Sequence, residues 1–281
     1  MTAVHSVSVA RPVDGVALIE MGEPGSLNLW DTDLELGLLD ALDELGADPG
    51  TRAIGLVSRG RAFCGGADLS RVRALLAADR PAAEVADDVL ERRITRALDT
   101  PTPVVAGIHG ACVGIGLALA LACDIRVAAT DARFRAAFPE RGLIAEHGTS
   151  WLLPRIVGLG DALDMLLSSR TVDAEEAHAM RLVSRLVEPD DLRAGVLQVL
   201  TRIAGTVSPR SAAVIKEQVY ADQGRPVEPA LRAAANEMAA AFRAPDATEG
   251  VRSFLEKRPA QFPPYPPATG PAPTVEKENR S

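Results

Sequence analysis

Twice in this chain of 281 residues a short apolar run ends in a glycine-bearing loop that opens into a helical pattern. Ala53 to Ser58 leads through Gly65, Gly66 and Asp68 into a helix. Pro103 to Ile108 leads through a loop from His109 to Gly116 into Leu117 to Ala122, and Ile125 to Ala129 is a further run of the same kind. Short uninterrupted apolar runs are what strands buried on both faces look like, and such strands belong to parallel sheets covered by helices. The recurrence predicts an α/β core. It has no fixed period, which argues against a solenoid of repeats.

The rest of the chain fits around that core. Ser6 to Ala10 and Gly15 to Met21 read as a hairpin joined by the turn segment Pro12-Val13-Asp14-Gly15. Asp33 to Leu45 places Leu34, Leu38, Leu42 and Leu45 at helical spacing and stops at Gly46 and Pro49. From Thr201 to Leu255 strand signals give way to helical ones, so we expect a core over 1–200, a helical region over 201–258 and, over 259–281, a proline-rich tail too poor in packing side chains to fold alone. With 47% apolar and 24% charged residues the chain can bury one large core with an appended unit. Cys64, Cys112 and Cys123 lack the close pairing of zinc sites or disulfide scaffolds, so no metal is expected and a reducing cytoplasm fits. The opening residues lack a basic leader with an apolar core, and no apolar run reaches a bilayer-spanning length, so neither export nor a membrane is expected. A net charge of -8 repels polyanions, which argues against nucleic acid while leaving room for an anionic small ligand at a few local cations.

Two loops carry the chemistry. Ala62 to Leu69 (AFCGGADL) has two glycines that let backbone approach a ligand and an Asp68 able to cap the next helix. His109 to Gly116 (HGACVGIG) runs into an apolar helix, so that unpaired N–H groups and the positive end of the helix dipole meet at one spot. Two loops each offering an amide can hold one oxygen anion. Singly, the first is equally a plain turn with a helix cap. The second is neither a phosphate loop, having no Gly-Lys-Ser/Thr, nor a complete dinucleotide fingerprint.

Together, RAFCGGADL and VAGIHGACVGIGLALALACDIRVA resemble the enoyl-CoA hydratase/isomerase (crotonase) superfamily. The resemblance extends from LNLWDTDLELGLLDALDEL through ARFRAAFPERGL and WLLPRIVG to SFLEKRPAQF. It implies a crotonase-like spiral of ββα units with a C-terminal helical trimerisation region, assembled as a homotrimer or a dimer of trimers. It also implies an acyl-CoA thioester substrate whose carbonyl meets the amides of Ala67 and Ile115, with no cofactor beyond the coenzyme A that belongs to the substrate. By position matching, Leu27, Asn28, Ala67, Asp68 and Leu69 lie along the coenzyme, Phe254 and Lys257 approach its adenine and phosphate, and Gly114 and Phe138 count among the substrate-binding positions. Lys257 is equally a solvated lysine paired with Glu256.

The family's hydratases carry two glutamates around the thioester, and here those positions match Ala118 and Phe138. Water addition needs water activated and a proton delivered to the α carbon, work usually shared by two carboxyls. Glu140, two residues past Phe138, is a substitute within reach of a small loop shift. Glu146, in GLIAEHGTSWLLP, stands where relatives that shift enoyl-CoA double bonds carry their acid, and moving a double bond needs only one carboxylate. Read without that context, Glu146 is an exposed acid at a helix start. His147 either assists it or fills the loop; His109 fits a packing role; Cys64 has no base to activate it; and GTSW is no nucleophile elbow. The leading expectation is a one-acid enoyl-CoA isomerase using Glu146, Ala67 and Ile115. The alternatives are a hydratase using Glu140 or Glu146, and a non-catalytic acyl-CoA-binding relative.

Overall fold

The computed structural model describes residues 6–78, 81–91 and 93–265. A hairpin opens it, β1 (Val7–Val13) with β2 (Val16–Met21), its register broken by a bulge between Ala10 and Val13. From β2 onward one unit recurs: a strand of a large sheet, a short strand of a second layer, then a helix. The first two copies are β2, β3 (Leu29–Trp30) and α1 (Thr32–Ala47), then β4 (Ala53–Ser58), β5 (Gly66–Ala67) and α2 (Leu69–Ala77), with α3 (Ala82–Glu91) and α4 (Arg96–Asp99) following. The next two are β6 (Val104–Ile108), β7 (Ala111–Val113) and α5 (Ile115–Ala122), then β8 (Ile125–Ala129), β9 (Arg133–Arg135) and α6 (Thr149–Val157). α7 (Leu159–Ser168), β10 (Val172–Asp173), α8 (Ala174–Ala179) and β11 (Arg185–Val187) complete the layers. The helices α9 (Leu192–Thr206), α10 (Pro209–Ala221), α11 (Val227–Ala241) and α12 (Pro245–Leu255) follow.

The large sheet has the order β1-β2-β4-β6-β8-β11 and is parallel from β2 onward. Both of its faces are covered. Ile54 and Leu56 of β4 join the cluster with α1 and α5, whereas Ala53 and Val57 face Val196, Val199 and Leu200 of α9. Such strands need no polar alternation, which is why β4 and β8 could be bounded from the sequence to the residue. Gly107 lets α9 close on the sheet, since a Cβ there would lie 2.7 Å from Val196. Each Val or Leu so buried stabilises by about 1.5–3 kcal/mol. α9 runs through residue 200, so the helical run of the C-terminal half begins within the last layer of the core.

The second layer consists of β10-β9-β7 and β3-β5, linked by a parallel bridge between Cys64 and Cys112. This corrects one reading of the sequence: His109 to Gly116 is not a single loop, because Ala111–Val113 is a strand and the helix begins at Ile115. Three residues are too few for a periodicity signal, and two glycines hide the first helical turn.

A buried polar cluster ties α10 to the core. Lys216, only 8% exposed, donates to the carbonyl of Ala97 (2.7 Å) and to Asp124 (2.8 Å), whose carboxylate also accepts from Tyr220 (3.0 Å) and from the Val104 amide (2.7 Å). Replacing Lys216 with Met strands that carboxylate, and we expect a loss of about 3 kcal/mol in unfolding free energy, read by urea denaturation. Of the expected tail, 266–281 lies outside the described residues. Residues 259–265 form no helix or strand yet are held: the Gln261 amide donates to Glu249 (2.7 Å) and Arg52 donates to the Phe262 carbonyl (3.0 Å).

Candidate active site

The two glycine loops are clamped side by side. Phe63 N–H donates to His109 (2.9 Å), Cys64 N–H to Ala111 (3.0 Å) and Val113 N–H to Cys64 (3.0 Å). Behind the first loop Asn28, at φ 48°, donates its amide to the carbonyls of Ala62 (3.0 Å) and Phe63 (3.3 Å) and to the Ser58 hydroxyl. Asn28 is 5% exposed. Its side chain therefore braces the loop from inside. Leu27, partly exposed, accepts the Gly65 amide with its carbonyl (2.8 Å).

Ala67 belongs to β5, whose sole sheet partner among the described residues is β3. Asp68 N–H donates to Trp30 of β3 (3.1 Å), and because successive amides of a strand point to opposite sides, Ala67 N–H points away from that partner. Next to it the two loops are in close contact, since a Cβ on Gly66 would lie 3.5 Å from the Val113 carbonyl oxygen. On that side Gly114 (φ 56°) breaks the chain out of β7, its own amide donating to Arg135 (2.9 Å). The first intrahelical bond of α5 runs from Ala118 to Gly114 (3.1 Å). The N–H groups of Ile115, Gly116 and Leu117 thus have no acceptor within the helix. Every residue of α5 is buried and none is charged. Free amide donors at a helix N-terminus in such surroundings suit an oxygen that gains negative charge.

The carboxylates sort themselves by environment. Ala118 and Phe138, the positions that the resemblance matches to two glutamates, are buried at 0% and 4% exposure and carry no carboxyl. Glu140 is exposed and ion-paired with Arg135, which also donates to the Ser169 carbonyl (2.8 Å). Glu146 is half-buried, and that burial raises its carboxyl above the ordinary glutamate value of 4.5. Two successive left-handed residues, His147 (φ 51°) and Gly148 (φ 73°), turn the chain behind it into α6, and the Thr149 amide donates to the Glu146 carbonyl (2.9 Å). The imidazole of His147 turns inward, 3.9 Å from the Glu146 carboxylate. Burial holds it below the usual histidine range, and it feels the charges of both Glu35 and Arg71.

That last pair was missed in the sequence. Glu35 of α1 is 5% exposed and ion-paired with Arg71 of α2 at 2.6 Å. The available signal was its position, four residues before Leu39 and three before Leu38 on a helix whose apolar stripe is otherwise unbroken by charge.

The thiols take no part. Cys64, Cys112 and Cys123 are buried, and burial pushes Cys64 up to about 11, Cys123 up to about 12 and Cys112 well above its ordinary value. His109 Nε2 donates to the Gly60 carbonyl (2.9 Å), a packing role. Asp68 accepts the Ser70 amide (2.8 Å) at the start of α2, and Leu69 is 60% exposed beside it. Phe254, 82% exposed, and Lys257 (φ 54°) stand at the end of α12. Glu256 is taken by Arg252 (2.7 Å) and Arg258 (2.6 Å), so Lys257 does not have it as a partner.

Comparison with known proteins gives a consistent set of matches. The family model described as enoyl-CoA hydratase/isomerase matches residues 12–264. An inferred enoyl-CoA hydratase of Thermus thermophilus is 37% identical over 250 residues, covering 88% of this chain and 97% of its own. The 1,2-epoxyphenylacetyl-CoA isomerase of Escherichia coli is 30% identical over 249 residues, 88% of this chain and 95% of its own. Among solved structures, an enoyl-CoA hydratase of Mycobacterium smegmatis is similar with a TM-score of 0.81 at 29% identity, covering 92% of this chain and 98% of that one.

Proposed function

Since this chain belongs to the enoyl-CoA hydratase/isomerase family, we propose that it moves the double bond of a 3-enoyl-CoA to the 2 position, with Glu146 as the single acid and base. The observation that carries this reading is the sorting of carboxylates. Half-buried Glu146 has its carboxyl raised by that burial and no arginine partner among the described residues, whereas Ala118 and Phe138 offer no carboxyl and Glu140 is ion-paired with Arg135.

The proton balance closes with that one group. The Glu146 carboxylate takes a proton from the α carbon, the electron pair passes to the thioester oxygen, and the enolate accepts hydrogen bonds from the Ala67 and Ile115 amides. As the enolate collapses, the α–β double bond forms, the β–γ bond becomes single and Glu146 returns its proton to the γ carbon. Nothing is added or lost, and the carboxylate is regenerated. Water addition would require a second group to activate water.

Hydratase is the second reading, favoured by the names that most of the similar proteins carry. The deciding measurement supplies matched 3-enoyl-CoA and 2-enoyl-CoA to the wild-type protein and follows migration and hydration separately. Migration faster than water addition is the expected result. Dominant hydration would overturn the isomerase reading, and tight acyl-CoA binding with neither reaction would identify a non-catalytic member.

In the same reading Phe254 and Lys257 approach the adenine and phosphate of the coenzyme. The exposed apolar residues Val227, Leu231 and Met238 of α11, with Phe242 just past its end, support assembly into a trimer or a dimer of trimers. No helix among the described residues is long and apolar enough to cross a membrane.

A further inference from the structure

Behind Glu146 lies a chain of charged and polar side chains drawn from three separate elements, and it contains an unspent hydrogen-bond donor. Glu35 comes from α1, Arg71 from α2, and His147 from the loop before α6. The ion pair uses Arg71 Nη2 and Glu35 Oε2 at 2.6 Å. Arg71 Nη1 is buried and has no hydrogen-bond partner. A guanidinium is always protonated and a buried N–H without an acceptor is costly, so a site that retains one needs an acceptor close by. His147 supplies the candidate. Its side chain is only 17% exposed, it feels both members of the pair, and a neutral imidazole has one ring nitrogen free to accept. Its Nε2 faces Glu146 Oε2 at 3.9 Å, about 1 Å beyond a hydrogen bond. Catalytic hydrogen bonds are often long in the empty site and tighten when substrate is bound.

We propose that Glu35, Arg71 and His147 form a positioning relay for Glu146, in which Glu35 orients Arg71, Arg71 donates to Nδ1 of His147, and His147 thereby carries its hydrogen on Nε2 and donates it to the Glu146 carboxylate. This rests on the reading of Glu146 as the acid and base. Among the described residues, the charged and titratable groups facing the imidazole are Glu35 from α1, Arg71 from α2 and Glu146 from its own loop. A cation on one side of a neutral imidazole and a carboxylate on the other select one tautomer. The bond to Oε2 leaves Oε1 free to carry the proton between the α and γ carbons. It also accounts for a non-glycine residue at φ 51° in position 147, a conformation that turns the ring inward at some backbone cost.

The test uses the full chain and needs no turnover for its first reading. Nitrogen-15 spectra of the histidine side chains, with His147→Asn to assign the signal, report the His147 tautomer in wild type and in the double variant Glu35→Gln, Arg71→Met. The pair is changed together because Arg71→Met alone leaves a buried carboxylate uncompensated. We expect a wild-type ring protonated on Nε2 and a double variant that loses this preference. On 3-enoyl-CoA, kcat of the double variant should fall roughly tenfold with KM within about twofold, and the acidic limb of kcat should move by about half a unit. A tautomer and acidic limb unchanged in the double variant would overturn the relay and leave Glu35 and Arg71 as a structural ion pair. Failure of the underlying reading shows differently: Glu146→Gln would then keep its activity, while the His147 tautomer still reports on Arg71.

Discussion

Glu146→Gln should lose double-bond migration by about 100- to 10,000-fold in kcat, the usual contribution of a positioned acid–base group. KM should hardly change. Glutamine keeps the shape of the side chain, and in the proposed mechanism the thioester oxygen is held by the Ala67 and Ile115 amides, which the substitution does not touch. The wild-type pH profile supplies an independent check. In the proposed mechanism the carboxylate form takes the α proton, so kcat should rise as Glu146 ionises, and burial moves that rise above the ordinary glutamate value of 4.5. In the variant the residual rate should lack this limb. Stability provides the control. A carboxyl whose pKa is higher folded than unfolded binds protons more readily in the fold, so its contribution turns unfavourable as pH rises through that window. Removing the ionisable group therefore costs no stability at neutral pH, and a melting temperature equal to or above wild type would assign the lost rate to chemistry. A variant that melts normally and still isomerises would remove Glu146 from the mechanism.

How much of this could be read from the sequence follows from the burial of each element. The parallel strands β4 and β8 announced themselves because covering both faces removes polar alternation. β7 did not, since its three residues sit between glycines that read as one loop. The loops holding Ala67 and Ile115 were legible from their glycines, but the bracing role of Asn28 was not, because only the tertiary fold shows that its side chain satisfies two buried carbonyls. Glu140 and Glu146 are both glutamates in neighbouring loops. What separates them, an arginine partner for one and burial for the other, is a tertiary fact. Glu35 and Arg71 lie 36 positions apart and meet only through the packing of α2 against α1.

Gly116→Ala should be nearly as damaging as loss of the acid, for a reason opposite to what helix propensity suggests. Gly116 lies in the first turn of α5, where alanine in place of glycine is ordinarily worth up to about 1 kcal/mol of helix stability. Yet a Cβ there would sit 2.7 Å from both the Cβ and the carbonyl oxygen of Cys64, and 3.1 Å from its sulfur. Neither side can give way cheaply. Cys64 is held by its amide on Ala111 and by its carbonyl on the Val113 amide, both at 3.0 Å, and Asn28 braces the residues before it. The strain therefore pushes α5 away from the first glycine loop, and in the proposed mechanism that disturbs the spacing of the two amides that hold the enolate. We expect kcat to fall by about 100- to 1000-fold, as when one oxyanion donor is lost, with a destabilisation of about 1–3 kcal/mol from overpacking. Gly205→Ala in α9 is the matched control, because a Cβ there meets nothing within 4 Å and should leave rate and stability unchanged or slightly improved. A Gly116→Ala protein that melts higher than wild type and isomerises at the wild-type rate would show that the clamp between the two loops does not set the geometry of the hole.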